Sequence, residues 1–437
     1  MLTVLLFFFG LVFRLISINQ SIWLDEAISA NVAAKLNYHQ IITGFSPFDF
    51  HPPLFYLTLK FWSQLFGPSV ISLRLLSILF SLATAYIVFL ICQKFYSKVA
   101  YWATAFFMFN PLIIYYSQEI RMYSMVTFFL TASFYLMLII AHQKHSTKHL
   151  LLFNFFTFLS FSTFYGSIFF LFAIYLYLLL HTKKSLFLKT LPGILLSLLI
   201  LSPLLLSQFK NSRIMLQLVP HWDLVLGKVT LKNLLLIPVK FAIGHISFLP
   251  KYFYYFISSI WTIFIFTSYI FTAKHHQKLL YFFIFPLFIA TLFSLSSPML
   301  QYFRFIYLIP ILAISLSLIN SKFIKSIILF GFVIFSLIYL INPTFHREDW
   351  QSLSVNLSPQ TSVWMIPSFA DPLKYYYPDI VINDISKVSQ NSPSRLYVIP
   401  YGEAIHGIDH QKILETNDYI FQYSRDYRQL NLQYWER

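Results

Sequence analysis

Trp23-Leu24-Asp25-Glu26-Ala27 places two adjacent carboxylates just beyond the first hydrophobic run of a chain that otherwise almost lacks acids. Between Met1 and Asn342 the acids are Asp25, Glu26, Asp49, Glu119 and Asp223, and the other eleven all fall from Glu348 onward. Of the 437 residues 58% are hydrophobic and only 11% charged, against about 25% charged in ordinary soluble domains. With a mean hydropathy of +0.67, the chain reads as a polytopic membrane protein, and each carboxylate in its apolar portion needs a physical reason.

Apolar runs long enough to span a bilayer are expected near 2–18, 70–93, 98–115, 121–141, 149–164, 166–181, 188–207, 252–273, 278–296, 301–319 and 323–342, eleven in all. Residues 1–18 carry no basic n-region and no small-residue cleavage site, so they read as a retained first span. Two shorter apolar helices, 52–66 and 234–248, are interrupted by Lys60, or by Pro238, Lys240 and Gly244, and are expected to lie at the interface.

Charge bias sets the orientation. The loops holding Lys94 and Lys98, Lys144 and Lys148, Lys183 and Lys184, Lys274 and Lys278, and Lys322 and Lys325 contain no acid. With eleven spans they share one side, the cytoplasm, together with the N-terminus. The stretches 19–69, 116–120, 208–251 and 297–300 and the tail are then expected outside a plasma membrane, which puts all five rare acids on the outer face. The formal charge of +15 fits cytoplasmic loops and lipid phosphates; no nucleic-acid module is recognisable, so no nucleic-acid partner is expected. A lone Cys92 excludes an internal disulfide framework and a thiolate metal cluster.

After Asn342 the composition turns charged and mixed. Strand-like runs at 362–366, 379–382, 395–399 and 419–423 alternate with helix-capable segments. The expected organisation is a transmembrane α-helical catalytic domain, 1–342, followed by a small extracytoplasmic α/β domain, 343–437, that caps the membrane site and shapes acceptor access.

Further motifs extend the first. Asp49-Phe50-His51-Pro52-Pro53-Leu54-Phe55-Tyr56 places a proline pair at a helix opening, where its missing N–H is not needed, and so holds Asp49 and His51 at that end. Phe66-Gly67 precedes Ser72-Leu73-Arg74-Leu75-Leu76-Ser77, and Asn110-Pro111 precedes Tyr116-Ser117-Gln118-Glu119-Ile120-Arg121-Met122-Tyr123. Tyr302-Phe303-Arg304-Phe305, Leu308-Ile309-Pro310 and Arg347-Glu348-Asp349-Trp350 follow. In this order the motifs resemble the dolichyl-phosphate-mannose protein mannosyltransferase superfamily of GT-C glycosyltransferases. The resemblance implies an enzyme that moves a sugar from a polyprenyl-phosphate donor to an acceptor on the outer face by direct, inverting displacement. The family's catalytic acid maps onto Asp25, with Glu26 beside it.

The chemistry is consistent with that expectation. A hydroxyl acceptor is a poor nucleophile, and a carboxylate within hydrogen-bond reach is needed to take its proton; Asp25 is the candidate. Glu26 is read as a second catalytic acid, as a partner that raises one pKa, as a ligand with Asp25 and Glu119 to a divalent metal ion, or as a helix-opening acid. A lipid-phosphate leaving group calls for preorganised cations, for which Arg74, Arg121 and Arg304 are candidates, with Arg14 and Lys60 near the same level; snorkelling is the bland alternative. Glu119, Tyr123, Asp49 and His51 complete the substrate-binding set, and Tyr115 and Tyr116 are read as aromatic-belt residues. His142, His145, His149, His275 and His276 lie beside lysines without acids and are not expected to bind metal.

No HExxH, Walker loop, GxSxG elbow or kinase set is present, so an activated sugar is expected on a lipid carrier rather than a nucleotide. The competing function, a transporter or flippase of lipid-linked sugars, predicts inverted repeats with broken midplane helices; no such repeat is visible, and the acids gather at one face. The acceptor, whether protein, glycan or lipid, is not named by any motif.

Overall fold

The structure, a computed structural model, describes residues 2–96, 99–142, 146–219, 221, 223–357 and 362–437; Lys98, Lys144 and His145 lie outside the described residues. Among those described, six helices are long and apolar enough to cross a membrane: Val70–Phe95, Tyr123–Ala141, Lys184–Ile214, Lys251–Ala273, Gln277–Ser294 and Lys322–Ile341. Shorter apolar helices at Leu2–Leu15, Tyr165–His181 and Tyr302–Ser317 accompany them, as does Thr147–Thr163. Burial ranks their positions. The apolar window of Tyr123–Ala141 is 83% buried and that of Lys251–Ala273 only 28%, so the first forms the middle of the bundle and the second its lipid-facing rim.

Two expected spans are interrupted for local reasons. The run 98–115 divides into Ala100–Met108 and Pro111–Ser117. Asn110 caps the second helix, accepting from the backbone N–H groups of Leu112 (3.0 Å) and Ile113 (3.2 Å), and Pro111 follows at the first helical position, a strong start signal that ends the preceding helix. The run 301–319 opens with a 3-10 turn, Tyr302–Leu308, before the α-helix Ile309–Ser317. The two short helices expected at the interface form at Leu54–Phe66 and Leu231–Ile243. The latter ends at Gly244, whose φ of +78° and lack of a side chain let the backbone pass Pro111; a Cβ there would lie 2.8 Å from the Pro111 Cβ.

The tail builds a five-stranded mixed sheet: β1 (Ser362–Met365), β2 (Val381–Asp384), β3 (Arg395–Val398), β4 (Ile420–Tyr427) and β5 (Leu430–Glu436), in the order β2-β1-β3-β5-β4. β1 is parallel to both β2 and β3, whereas β5 is antiparallel to both β3 and β4. Its own core includes Trp350, Leu353, Val363, Met365 and Val398, all fully buried. Four of the strands fall on the expected runs, and β5 is additional. Polar contacts fasten this layer to the first loop: the Tyr376 hydroxyl accepts from the Ile22 N–H (3.0 Å), and Asn31 Nδ2 donates to the Asp371 carboxylate (3.2 Å). The Tyr375 hydroxyl donates to the Pro68 carbonyl at 3.2 Å.

Arg14, on the first helix, is fully buried and fully committed. Its Nη1 donates to the carbonyls of Gly10 (2.8 Å) and Met108 (3.1 Å), and its Nε and Nη2 donate to Ser81 Oγ at 3.2 and 3.0 Å. It therefore ties three helices together rather than offering charge to a substrate. Arg14→Ala strands the Met108 carbonyl and the Ser81 hydroxyl in apolar surroundings, at a cost of about 1–3 kcal/mol. The expected result is a lower melting temperature in detergent; unchanged melting would remove Arg14 from the tie.

Candidate active site

The helix Leu24–Lys35 carries both Asp25 and Glu26 in its first turn. Neighbouring side chains on a helix diverge by about 100°, so the pair cannot act on one spot. Glu26 turns inward and is wholly buried. Its Oε1 accepts from Arg74 Nε (3.0 Å) and the Ile120 N–H (2.9 Å), and its Oε2 from Arg74 Nη2 (2.7 Å). Arg347 Nε lies 3.2 Å from the same Oε2. Burial works against the charge of Glu26, but Arg347 and Arg74 outweigh it and hold the carboxyl below its usual range. Arg74 spends its remaining capacity on the carbonyls of Ile18 (2.6 Å), Gln20 (2.7 Å) and Ser21 (3.4 Å).

Asp25 faces the other way, with 35% of its side chain exposed and Oδ2 3.5 Å from Arg121 Nη2. Arg121 and Glu119 sit in the turn between the helices Pro111–Ser117 and Tyr123–Ala141. That turn is held from below. Ser77 Oγ donates to the Glu119 carbonyl (2.6 Å), and Gln118 Nε2 donates to the carbonyls of Arg14 (2.9 Å) and Ile16 (2.6 Å). Glu119 Oε1 accepts from Trp23 Nε1 at 2.9 Å. Arg121 reaches the Tyr56 hydroxyl at 3.5 Å, which links it to Asp49 and His51, themselves paired at 3.3 Å. Burial opposes the charge of Asp49, while His51 and then Arg121 favour it; the carboxyl is held below its usual range.

These groups border a cavity of about 240 Å³. Its walls are the aromatic rings of Trp23, Tyr115, Tyr116, Tyr123, Tyr302 and Phe303, and Asp25, Glu119, His245, Arg347 and Glu348 supply polarity. His245 stacks on Tyr115 at 4.3 Å between ring centres and contacts the Tyr302 hydroxyl at 3.1 Å. Burial, then Lys240 and Arg347, lower its pKa to about 3, so the ring is neutral. Arg347 enters from the tail and lies over the face of Tyr115 at 4.4 Å. The β4–β5 turn grips its backbone: Arg428 Nε donates to the Arg347 carbonyl (2.6 Å), and Gln429 Nε2 to that of His346 (3.3 Å).

Of the residues picked out in the sequence, Asp25, Glu119 and Tyr123 line the cavity, and Arg121 stands against Asp25. Asp49 and His51 form a pair behind Tyr56, with His51 stacked on Phe164 at 6.3 Å. Glu26 and Arg74 lie beneath the cavity, bound to each other. Arg304 is half-buried and donates to the Leu226 carbonyl at 3.3 Å. Arg347 and His245 are cavity residues that sequence reasoning did not select. Arg347 stood in the Arg-Glu-Asp-Trp motif, which was the available signal; His245 had none. Both Glu26 oxygens are taken by N–H donors, and among the described residues no three His, Cys, Asp or Glu side chains are grouped closely enough to hold an ion.

Residues 50–206 match the family model described as dolichyl-phosphate-mannose-protein mannosyltransferase. No curated protein sequence matches the chain. Among solved structures, ArnT from Cupriavidus metallidurans in the apo state is similar with a TM-score of 0.63 at 12% identity, covering 99% of this chain and 97% of that one. ArnT from the same organism bound to undecaprenyl phosphate gives 0.61 at the same identity and coverage. The resemblance carried by the motifs is thus met twice, by the family model over residues 50–206 and by a fold similar to that of ArnT over the whole chain.

Proposed function

We propose that the protein transfers a sugar from a polyprenyl-phosphate donor to an acceptor hydroxyl at the outer face of the plasma membrane, with inversion at the anomeric carbon and Asp25 as the base. The observation that carries this reading is the contrast within the acidic pair. Glu26 is saturated with hydrogen bonds, whereas Asp25 opens onto an aromatic-walled cavity with a guanidinium 3.5 Å away. The undecaprenyl phosphate bound to ArnT supports a lipid-phosphate donor.

In the reaction the acceptor oxygen bonds to the anomeric carbon as the bond from that carbon to the phosphate oxygen breaks. The acceptor proton passes to Asp25, and the electron pair leaves on the lipid phosphate. Arg121 holds Asp25 in place, with Nη2 3.5 Å from Oδ2, and its Nε, buried without a hydrogen-bond partner among the described residues, keeps donor capacity for the departing phosphate. Arg74 has none left. The tail supports acceptor access from outside, in the orientation that the lysine-rich loops favour.

Glu119 shares the cavity but differs electrostatically. Burial, opposed by Arg347 and reinforced by the charge of Glu26, raises its carboxyl from 4.5 to about 7. A folded-state pKa above the free value of 4.5 means that the native state binds this proton more tightly than the unfolded chain. Its stabilising contribution is complete below about pH 4.5 and is lost as pH rises toward 7.

Three outcomes test these assignments. Asp25→Asn should reduce release of undecaprenyl phosphate from a lipid-linked sugar by about 10²- to 10⁴-fold while melting unchanged; retained turnover removes Asp25 from the mechanism. Melting temperature measured from pH 5 to 7 should fall in the wild type and fall less steeply in Glu119→Gln, and equal slopes would contradict the raised carboxyl. A cysteine placed at exposed Thr416 should react with an impermeant maleimide added to intact cells; labelling only after lysis reverses the orientation.

A further inference from the structure

Two polar groups on one wall of the cavity have bonding capacity unused by the protein. Arg347 is 4% exposed, and none of its three guanidinium nitrogens makes a directional hydrogen bond among the described residues. It is held by charge, with Nε 3.2 Å from Glu26 Oε2 and Nη2 3.8 Å from Glu119 Oε1. Glu119 is 1% exposed; Oε1 takes the Trp23 N–H, and Oε2 is buried without a partner. Buried donors and acceptors are rarely left unmade without a reason.

The ligand that satisfies this wall must both accept from a guanidinium and donate to a carboxylate. A hydroxyl does both. A phosphate only accepts, and it would face Glu119, Asp25 and Glu348 in the same cavity. The size agrees: about 240 Å³ is below the roughly 300–1,000 Å³ of sites for drug-sized ligands and leaves no room for a polyprenyl chain. The aromatic rings around it offer flat apolar faces to the C–H side of a sugar ring. The β4–β5 turn fixes the Arg347 backbone through Arg428 and Gln429, so this donor is preorganised.

We propose that Arg347 and Glu119 form the subsite that binds adjacent hydroxyls of the donor sugar, so that a residue delivered by the C-terminal sheet region selects which sugar is transferred. This rests on the glycosyl-transfer reading above. It assigns selectivity to the tail and chemistry to the first loop.

The test uses the purified full-length protein in lipid nanodiscs with undecaprenyl-phosphate-linked mannose, glucose, galactose and arabinose, followed by monodeoxy analogues of each sugar that is turned over. In the wild type, removing a hydroxyl from one of two adjacent positions should lower kcat/KM by about 10- to 100-fold. Arg347→Lys and Glu119→Gln should erase that penalty at those positions and preserve the penalties elsewhere. Because Arg347 also faces Glu26, Glu119→Gln supplies the independent arm if Arg347→Lys does not fold. Variants that slow every donor by one common factor, or that leave the deoxy penalties intact, overturn the proposal while leaving glycosyl transfer standing. A panel in which no lipid-linked sugar is turned over instead overturns the donor reading, and this proposal with it.

Discussion

A carboxylate with no contact to solvent, Glu26, receives hydrogen bonds from Arg74 and the Ile120 N–H, with Arg347 close behind. These partners come from a membrane helix, the turn around Glu119 and the tail, which are far apart in sequence. Removing ions from water is expensive, and such a cluster survives only if each charge is well compensated. Here the compensation fixes geometry. The first-loop helix is set on the Val70–Phe95 helix, the Glu119–Arg121 turn is set against it, and the tail is docked over both. Asp25 is left as the member of the pair with room to meet a substrate.

The same cluster explains why a modest C-terminal sheet belongs to the site. Its hairpin does not merely cover the membrane helices; the β4–β5 turn holds the backbone of Arg347, which reaches Glu26, Glu119 and the Tyr115 face. Contacts from Tyr375, Tyr376 and Asp371 to the first loop repeat the arrangement farther out. A shift of the tail would therefore be felt at the cavity.

Much of the membrane architecture is legible from hydropathy, because an apolar run of bilayer length has few alternatives. The legibility ends where a polar residue redirects the backbone. Asn110 and Pro111 divide one apparent span by capping, a signal present in the sequence but outweighed by the apolar residues on both sides. β5 is missed because its turn, Arg428-Gln429, lacks glycine and asparagine, although Gln429 takes a φ of +61°. At the cavity, Asp25, Glu119 and Arg121 stand out in the sequence because acids and cations are rare in the apolar portion, and Tyr123 because it follows Arg121 in the quoted motif. The division of labour between Asp25 and Glu26 is not legible: it depends on Arg74 and Arg347, whose proximity only the fold creates. Arg347 stands in a quoted motif, but in a charged tail one more cation does not by rarity alone mark itself as a site residue.

The claim that Glu26 organises the site, rather than taking part in the chemistry, is tested most directly by the thermal melting of Glu26→Gln in detergent. Losing the charge leaves Arg74 and Arg347 buried without their counter-ion, a change that costs about 3–5 kcal/mol in comparable buried pairs. The account predicts a marked fall in melting temperature. A variant that melts like the wild type yet no longer transfers sugar would contradict it and return Glu26 to the catalytic step.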